Sequence, residues 1–268
     1  MATKIHPTAV IDAKALIGEN VEIGPYTVIG PDVQIGDNTR IGPHCIFEFC
    51  TVGRDNLFTG AAYVGMPPQD WGYKGEHTRF TMGDRNVIRE NVSLHRGSHA
   101  THLTSMGSGC MLMANSHLGH DCRVGDNVIM VNSSAAAGHV QIGDRALISG
   151  LAGIHQFTRV GRFAMISGGG MASQDIIPYV TAQGDRARPV ALNLVGMKRN
   201  GYTREQIKAV KHVFKTLFFR GLLLKDAVAQ LRGESLPPEA ALILDFVESS
   251  KRGIARPRRS AAADVSDV

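Results

Sequence analysis

The feature that most narrows what this chain can fold into is a period of six. Ile5, Ile11, Ile17, Ile23, Ile29, Ile35, Ile41 and Phe47 stand six residues apart, and glycine follows at 18, 24, 30, 36 and 42. The residue two before each corner is small or branched, as in Val21, Thr27, Val33, Thr39 and Cys45. After a break the period returns at Met82, Ile88 and Leu94, then runs from Met106 through Leu118, Val124, Ala136 and Ile154 to Ile166. Six matches neither the 3.6-residue turn of a helix nor the two-residue alternation of a long strand. It matches a short strand plus a turn, the hexapeptide repeat of a parallel β-helix. Each aliphatic then fills an interior corner and each turn glycine is expected at positive φ. Three hexads close one triangular coil, so residues 18 apart stack at about 4.8 Å.

Two interruptions read as loops carried outside the stack. One lies near 60–80 and holds the only tryptophan, Trp71; the other is the His- and Ser-rich stretch 96–107, which keeps the hexad phase and so reads as only partly extruded. The prism is expected over 1–188. From 189 to 255 the pattern becomes helical: Thr203 and Gln206 form a capping-box pair, and Ile207, Val210, Val213, Phe214 and Leu217 share one helical face that Gly221 ends. Shorter helices are expected near 225–232 and 238–251, and 256–268 reads as a loose tail. The fold class is therefore mainly β, a parallel β-helix of hexapeptide repeats followed by a small α-helical C-terminal domain.

Composition excludes several functions. With 43% hydrophobic but only 6% aromatic residues, a core of small and branched aliphatics is available and a disordered chain is ruled out. The 30 glycines show no triplet period, which removes collagen. No apolar run reaches the roughly 18 residues of a membrane span, and the opening MATKIHPTAV lacks a secretory apolar stretch. A cytoplasmic protein without stable membrane insertion is expected. Cys45, Cys110 and Cys122 fall at small inward positions, so packing rather than reactivity is their role. The net charge of +5 gathers around Lys198, Arg199, Arg204, Lys208, Lys211, Lys215 and Arg220. Without a recognition motif or stacking aromatics this does not read as nucleic-acid binding.

Of 11 histidines, His117, His120, His139 and His155 lie within the unbroken repeat. Coil arithmetic stacks His120 on Gly138 and Gly138 on Gln156, each two past its corner, with Asp121 and His139 alongside, each three past. A histidine, a carboxylate, a second histidine and a glycine backbone thus converge within roughly 10 Å. Histidine can take a proton from a hydroxyl, aspartate can orient it, and a glycine N–H can stabilise an oxyanion. No nucleophile elbow is present, so direct attack by a substrate hydroxyl is favoured over an acyl-enzyme. His117-x-x-His120 lacks the second close pair that a zinc site prefers, and neither metal nor cofactor is expected.

The motifs IHPTAVID, MGDRNVIRENVSLHRG, NSHLGHDCRVGDNV, AGHVQIGD, GIHQF, SQDIIPYV and LNLVGMKRNGYTRE resemble, in order over about 5–220, the acyl-carrier-protein-dependent UDP-N-acetylglucosamine O-acyltransferases of lipid A biosynthesis. The resemblance implies a left-handed β-helix, an exception to right-handed crossovers, and a homotrimer with active sites between subunits. It implies transfer of a 3-hydroxyacyl chain from acyl carrier protein to the glucosamine 3-hydroxyl of UDP-N-acetylglucosamine. His120 is then the general base, Asp121 its orienting carboxylate and the Gly138 amide the oxyanion donor. His95, His117, His139, His155 and Gln156 match cleft positions, and Gln69 and Asp70 match loop residues near the sugar. Asn193 and Arg199 match residues holding the uridine diphosphate; Gly168 and Arg186 match positions tied to acyl length. The basic helices would meet the acidic carrier protein.

The chain departs from the family pattern where the loop lysine is replaced by Gly72, with Lys74 two residues on as a substitute. This opens N-acylation of a 3-amino UDP-sugar, or acylation of another nucleotide sugar, as an alternative. Readings of a different class are a metal-dependent hydratase or lyase, motivated by the histidine cluster, and a noncatalytic binding scaffold.

Overall fold

A computed structural model describes residues 2–257; the expected tail at 256–268 lies, from 258 onward, outside the described residues. The chain forms a left-handed parallel β-helix with a few C-terminal helices. Short strands fill three faces in strict rotation, beginning with Lys4–Ile5 on the first face, Val10–Ile11 on the second and Leu16–Ile17 on the third. Each strand pairs in parallel with the strand one coil on, as in Ile5 with Ile23, His117 with Ala135 and Ala135 with Gly153.

The corner aliphatics make the core: Ile29, Phe47, Ile88, Leu112, Leu118, Met130 and Ile148 are almost fully buried. The stack of coils continues where the sequence pattern breaks. Val52, Phe58 and Val64 are buried corners too, their phase shifted because only five residues separate Phe47 from Val52. Cys50 therefore occupies the same inward slot as Cys45, Cys110 and Cys122, and burial raises all four thiols above their ordinary range, Cys50 and Cys122 to about 12.

Both loops leave the stack between the second and third faces. The first is the connection 67–78, between strands Tyr63–Met66 and Arg79–Met82. The second connects Ser93–His95 to Leu103–Met106, and it is a full additional hexad rather than a partial bulge. An insertion of six residues preserves the phase while standing outside the prism.

Positive φ belongs to a different residue from the one expected. The glycines at 18, 24, 30, 36 and 42 do not take it. Residues three past the corner do: Asn20, Tyr26, Asn38, His44, Asp121, Asn127, His139 and Phe157 all lie at φ between 55° and 64°. The corner glycines are required for space instead. A Cβ on Gly42 would stand 2.3 Å from the carbonyl oxygen of Thr59 on the next coil. Side chains in the left-handed slot stack from coil to coil, as Tyr26 on His44 at 5.1 Å and His139 on Phe157 at 4.4 Å.

The composition change near Pro189 falls within an antiparallel hairpin, Val180–Gln183 with Arg188–Leu192. The helices follow: α1 (Leu194–Arg199), α2 (Arg204–Phe219), α3 (Leu224–Arg232) and α4 (Pro238–Glu248). The Thr203–Gln206 capping box starts α2, and Ile207, Val210, Val213, Phe214 and Leu217 bury its apolar face. Among the described residues no helix is long and apolar enough to cross a membrane.

Gly42→Ala should lower stability by about 1–3 kcal/mol, because backbone must yield to the new methyl. Asn127→Gly, at an exposed left-handed position, should stay within about 0.5 kcal/mol of the parent. Denaturant midpoints at one fixed protein concentration check both.

Candidate active site

The cleft opens on the second face because that face runs out of side chains. Its outward positions, coil by coil, are His117, Ala135, Gly153 and Met171, so two small residues form a low floor between an imidazole and a thioether. The resulting cleft, about 660 Å³, is lined by Gln69, His95, His117, His120, Gly138, His155, Gln156 and Arg186 among the expected residues. Met171, Ser173 and Asp185 also line it.

His120 sits on the turn after strand His117–Leu118, and Asp121 follows it in the left-handed slot. That backbone conformation turns the Asp121 carboxylate inward beneath the ring. His120 Nδ1 is 2.6 Å from Asp121 Oδ2, and the carboxylate is fully buried. Ser98 N–H donates to Asp121 Oδ1 at 3.0 Å and the Thr101 hydroxyl donates to the same oxygen. Thr104 Oγ1 accepts from Asp121 N–H at 2.7 Å. Burial alone would raise the Asp121 pKa, but the hydrogen bonds from His120, Ser98 and Thr101 outweigh it and hold the carboxyl well below the usual range. An ionised carboxylate only accepts, so Nδ1 of His120 carries a hydrogen, and in the neutral ring Nε2 keeps its lone pair.

Gly138 lies one coil on, directly under that ring. A Cβ there would come within 2.6 Å of His120 Nε2 and Cε1. Glycine is needed here so that the imidazole can lie against the backbone. Among the described residues the Gly138 N–H makes no hydrogen bond. The stacking expected from coil arithmetic is thus present: His139 N–H donates to His120 O at 2.9 Å, and His139 Nε2 stands 3.5 Å from Asp121 Oδ2.

Burial disfavours the charged form of three neighbouring imidazoles. Burial lowers His95 to about 4, helped by His117, His120 and Arg96, and burial followed by His120 lowers His117. Burial also lowers His139, opposed by Asp121. Ser93 Oγ holds His117 Nδ1 at 2.8 Å. His120, Asp121 and His139 offer three ligand atoms within 4.8 Å of one another. Those atoms are already turned on each other and on Ser98 and Thr101, an arrangement that suits a hydrogen-bonded acid–base pair better than a metal centre.

Several expected residues stand outside this cleft. Asp70 accepts from Gly72 N–H at 2.9 Å within the first loop. Lys74 is exposed and donates its Nζ to Trp71 O at 3.2 Å. Asn193 caps α1, accepting from Gly196 N–H and donating to Phe163 O, both at 2.9 Å. Arg199 is exposed in the last turn of α1, and Gly168 is exposed on the edge between the first and second faces. Sequence reasoning missed Ser98, Thr101 and Phe157. It also missed Arg96, which is buried, donates to Gly65 O at 2.7 Å and holds Tyr73 Oη at 3.0 Å, tying down the first loop. The phase-preserving second loop, rich in Ser and Thr, was the available signal for the first two.

Comparison with known proteins concerns the chain as a whole. The family model for UDP N-acetylglucosamine O-acyltransferase, domain 2, matches residues 175–255, and the bacterial transferase hexapeptide model, six repeats, matches 14–49. An acyl-[acyl-carrier-protein]–UDP-N-acetylglucosamine O-acyltransferase of Myxococcus xanthus is 48% identical over 256 residues, 94% of this chain and 99% of its own. The solved structure of LpxA from Acinetobacter baumannii superposes with a TM-score of 0.91 at 42% identity, covering 94% of this chain and 99% of that one. The UDP-N-acetylglucosamine acyltransferase of Francisella novicida gives 0.92 at 34% identity over 96% of each.

The neutral state of His95 carries a pH signature. Between its ordinary 6.5 and its folded value of about 4, the unfolded chain binds a proton that the folded chain does not. Stability contributed by this site is therefore complete above 6.5 and declines as the pH falls to about 4, by on the order of 3 kcal/mol. Denaturant unfolding at stepped pH should show a steeper acid decline for the parent than for His95→Gln.

Proposed function

Because the chain belongs to the UDP-N-acetylglucosamine O-acyltransferase family, we propose that it transfers a 3-hydroxyacyl chain from acyl carrier protein to the glucosamine 3-hydroxyl of UDP-N-acetylglucosamine, the first step of lipid A biosynthesis. The observation that carries the mechanism is the 2.6 Å contact between His120 Nδ1 and Asp121, which leaves Nε2 bare at the cleft beside Gly138. In this reading Nε2 takes the proton of the acceptor hydroxyl as its oxygen attacks the thioester carbonyl. The Asp121 carboxylate stabilises the imidazolium so formed. The free N–H of Gly138 donates to the tetrahedral oxyanion. Collapse of that intermediate breaks the carbon–sulfur bond, and His120 returns its proton to the departing carrier thiol. No acyl-enzyme is formed.

The remaining substrate residues fit a site shared between protomers. Asp70, Asn193, Arg199 and Gly168 lie outside the single-chain cleft, which supports a homotrimer in which a neighbour completes the nucleotide and acyl subsites. Arg204, Lys208, Lys211 and Lys215 on α2 offer the acidic carrier protein a basic surface. Both substrates are cytoplasmic in kind, and the enzyme is assigned to that compartment. A second reading, acylation of a 3-amino UDP-sugar, is favoured by one observation: Gly72 stands in the lysine position while Lys74 is engaged with Trp71.

His120→Ala should cost about 10²–10⁴ in turnover while the protein stays folded; undiminished transfer would remove this mechanism. Mass spectrometry of products formed from mixed acyl-carrier thioesters with 3-hydroxy and 3-amino UDP-sugars should show the O-acyl product predominating. A predominant amide product would establish the second reading.

A further inference from the structure

After α4 the chain folds back onto the prism, and residues 249–255 pass beside the cleft. Ser250 Oγ donates to Asp175 Oδ2 at 2.8 Å, Asp175 N–H donates to Gly253 O at 3.0 Å, and Ala255 N–H donates to Asp175 O at 2.9 Å. Asp175 is itself buried and takes two hydrogen bonds from Arg159, at 2.8 Å to its main-chain N–H and 2.9 Å to its Nε. Ile254 and Ala255 are buried as well. Residues 249–255 thus form a strap fastened at several points, and Arg252 stands between the fasteners.

Arg252 Nε donates to Ser173 O at 2.8 Å, which aims the guanidinium, and its Nη2 lies 2.9 Å from His155 Nδ1. A guanidinium offers donors and no acceptor, so the contact is a hydrogen bond only if Nδ1 is bare and the ring hydrogen sits on Nε2. Gln156 O, 3.1 Å from the same Nδ1, would favour the opposite tautomer. The guanidinium contact is the shorter and is charge-assisted, hence about twice as strong as a neutral bond. The opposite tautomer would set an N–H against the cation.

We infer that Arg252 is a positioning residue: the C-terminal strap fixes His155 in its Nε2–H form, so the cleft wall shared with His120 presents a hydrogen-bond donor to an acceptor oxygen of bound substrate. Two histidines of one cleft receive opposite assignments from opposite partners. A carboxylate behind His120 makes its Nε2 an acceptor, and a guanidinium behind His155 makes its Nε2 a donor. The kinetic consequence rests on the acyl-transfer reading; the tautomer does not.

Imidazole ¹⁵N shifts of histidine-labelled protein, recorded where imidazoles are neutral and assigned with His155→Gln, test this directly. The parent should show His155 protonated on Nε2. Arg252→Met should shift His155 toward the Nδ1–H form and lower kcat/KM about tenfold, and Arg252→Lys, which still donates, should restore both in large part. An Nδ1–H tautomer in the parent overturns the inference even if no variant folds, and so does an unchanged His155 in a folded Arg252→Met. Because the spectrum requires no turnover, loss of the proposed reaction and loss of this assignment are separately visible.

Discussion

Everything in this molecule depends on one coil registering on the next at the spacing of paired parallel strands. Because the hydrogen bonds between coils tie Ile5 to Ile23 and His117 to Ala135, each residue has its neighbour chosen by position in the repeat. A side chain therefore meets the residue 18 further on unless a loop intervenes. Chemistry is assembled by this rule: Gly138 under His120, His139 beside Asp121, Phe157 against His139.

The turn adds a second constraint. From Asn20 onward most turns place one residue in the left-handed region, and the chain gives that place mainly to asparagine, aspartate, histidine, arginine and aromatic residues, with glycine there at Gly109 and Gly169. Such positions are strained for most residues, by about 1–2 kcal/mol each. Here the conformation has a use, because it turns the side chain along the edge of the prism. Asp121 reaches under His120 by this geometry, where Ser98 and Thr101 keep it ionised. The acid–base pair follows from a turn that the repeat would need in any case.

Much of this was legible in the period alone. The corner residues, the inward cysteines and the stacking of His120, Gly138 and Gln156 followed from counting in sixes, and the amphipathic face of α2 followed from its helical spacing. The reading failed where the count slipped: a five-residue step hid Val52, Phe58 and Val64. It failed also on the glycines, where the chain neighbour suggested a turn conformation and the true constraint was a carbonyl one coil away. Arg96 and Arg252 act through contacts across long stretches of chain, which no local pattern announces.

The amino-acid order by itself determined the prism, its corners and which residues share an edge, because a repeat that buries one aliphatic per six residues has a single economical way to stack. Tertiary structure decided protonation and aim. Whether an imidazole nitrogen gives or takes a hydrogen depends on what stands behind it: for His120 a carboxylate of the repeat that an extruded hexad holds in place, for His155 a guanidinium of the returning C-terminal strap. The positions of that hexad and that strap are products of loop packing, for which periodicity carries no information.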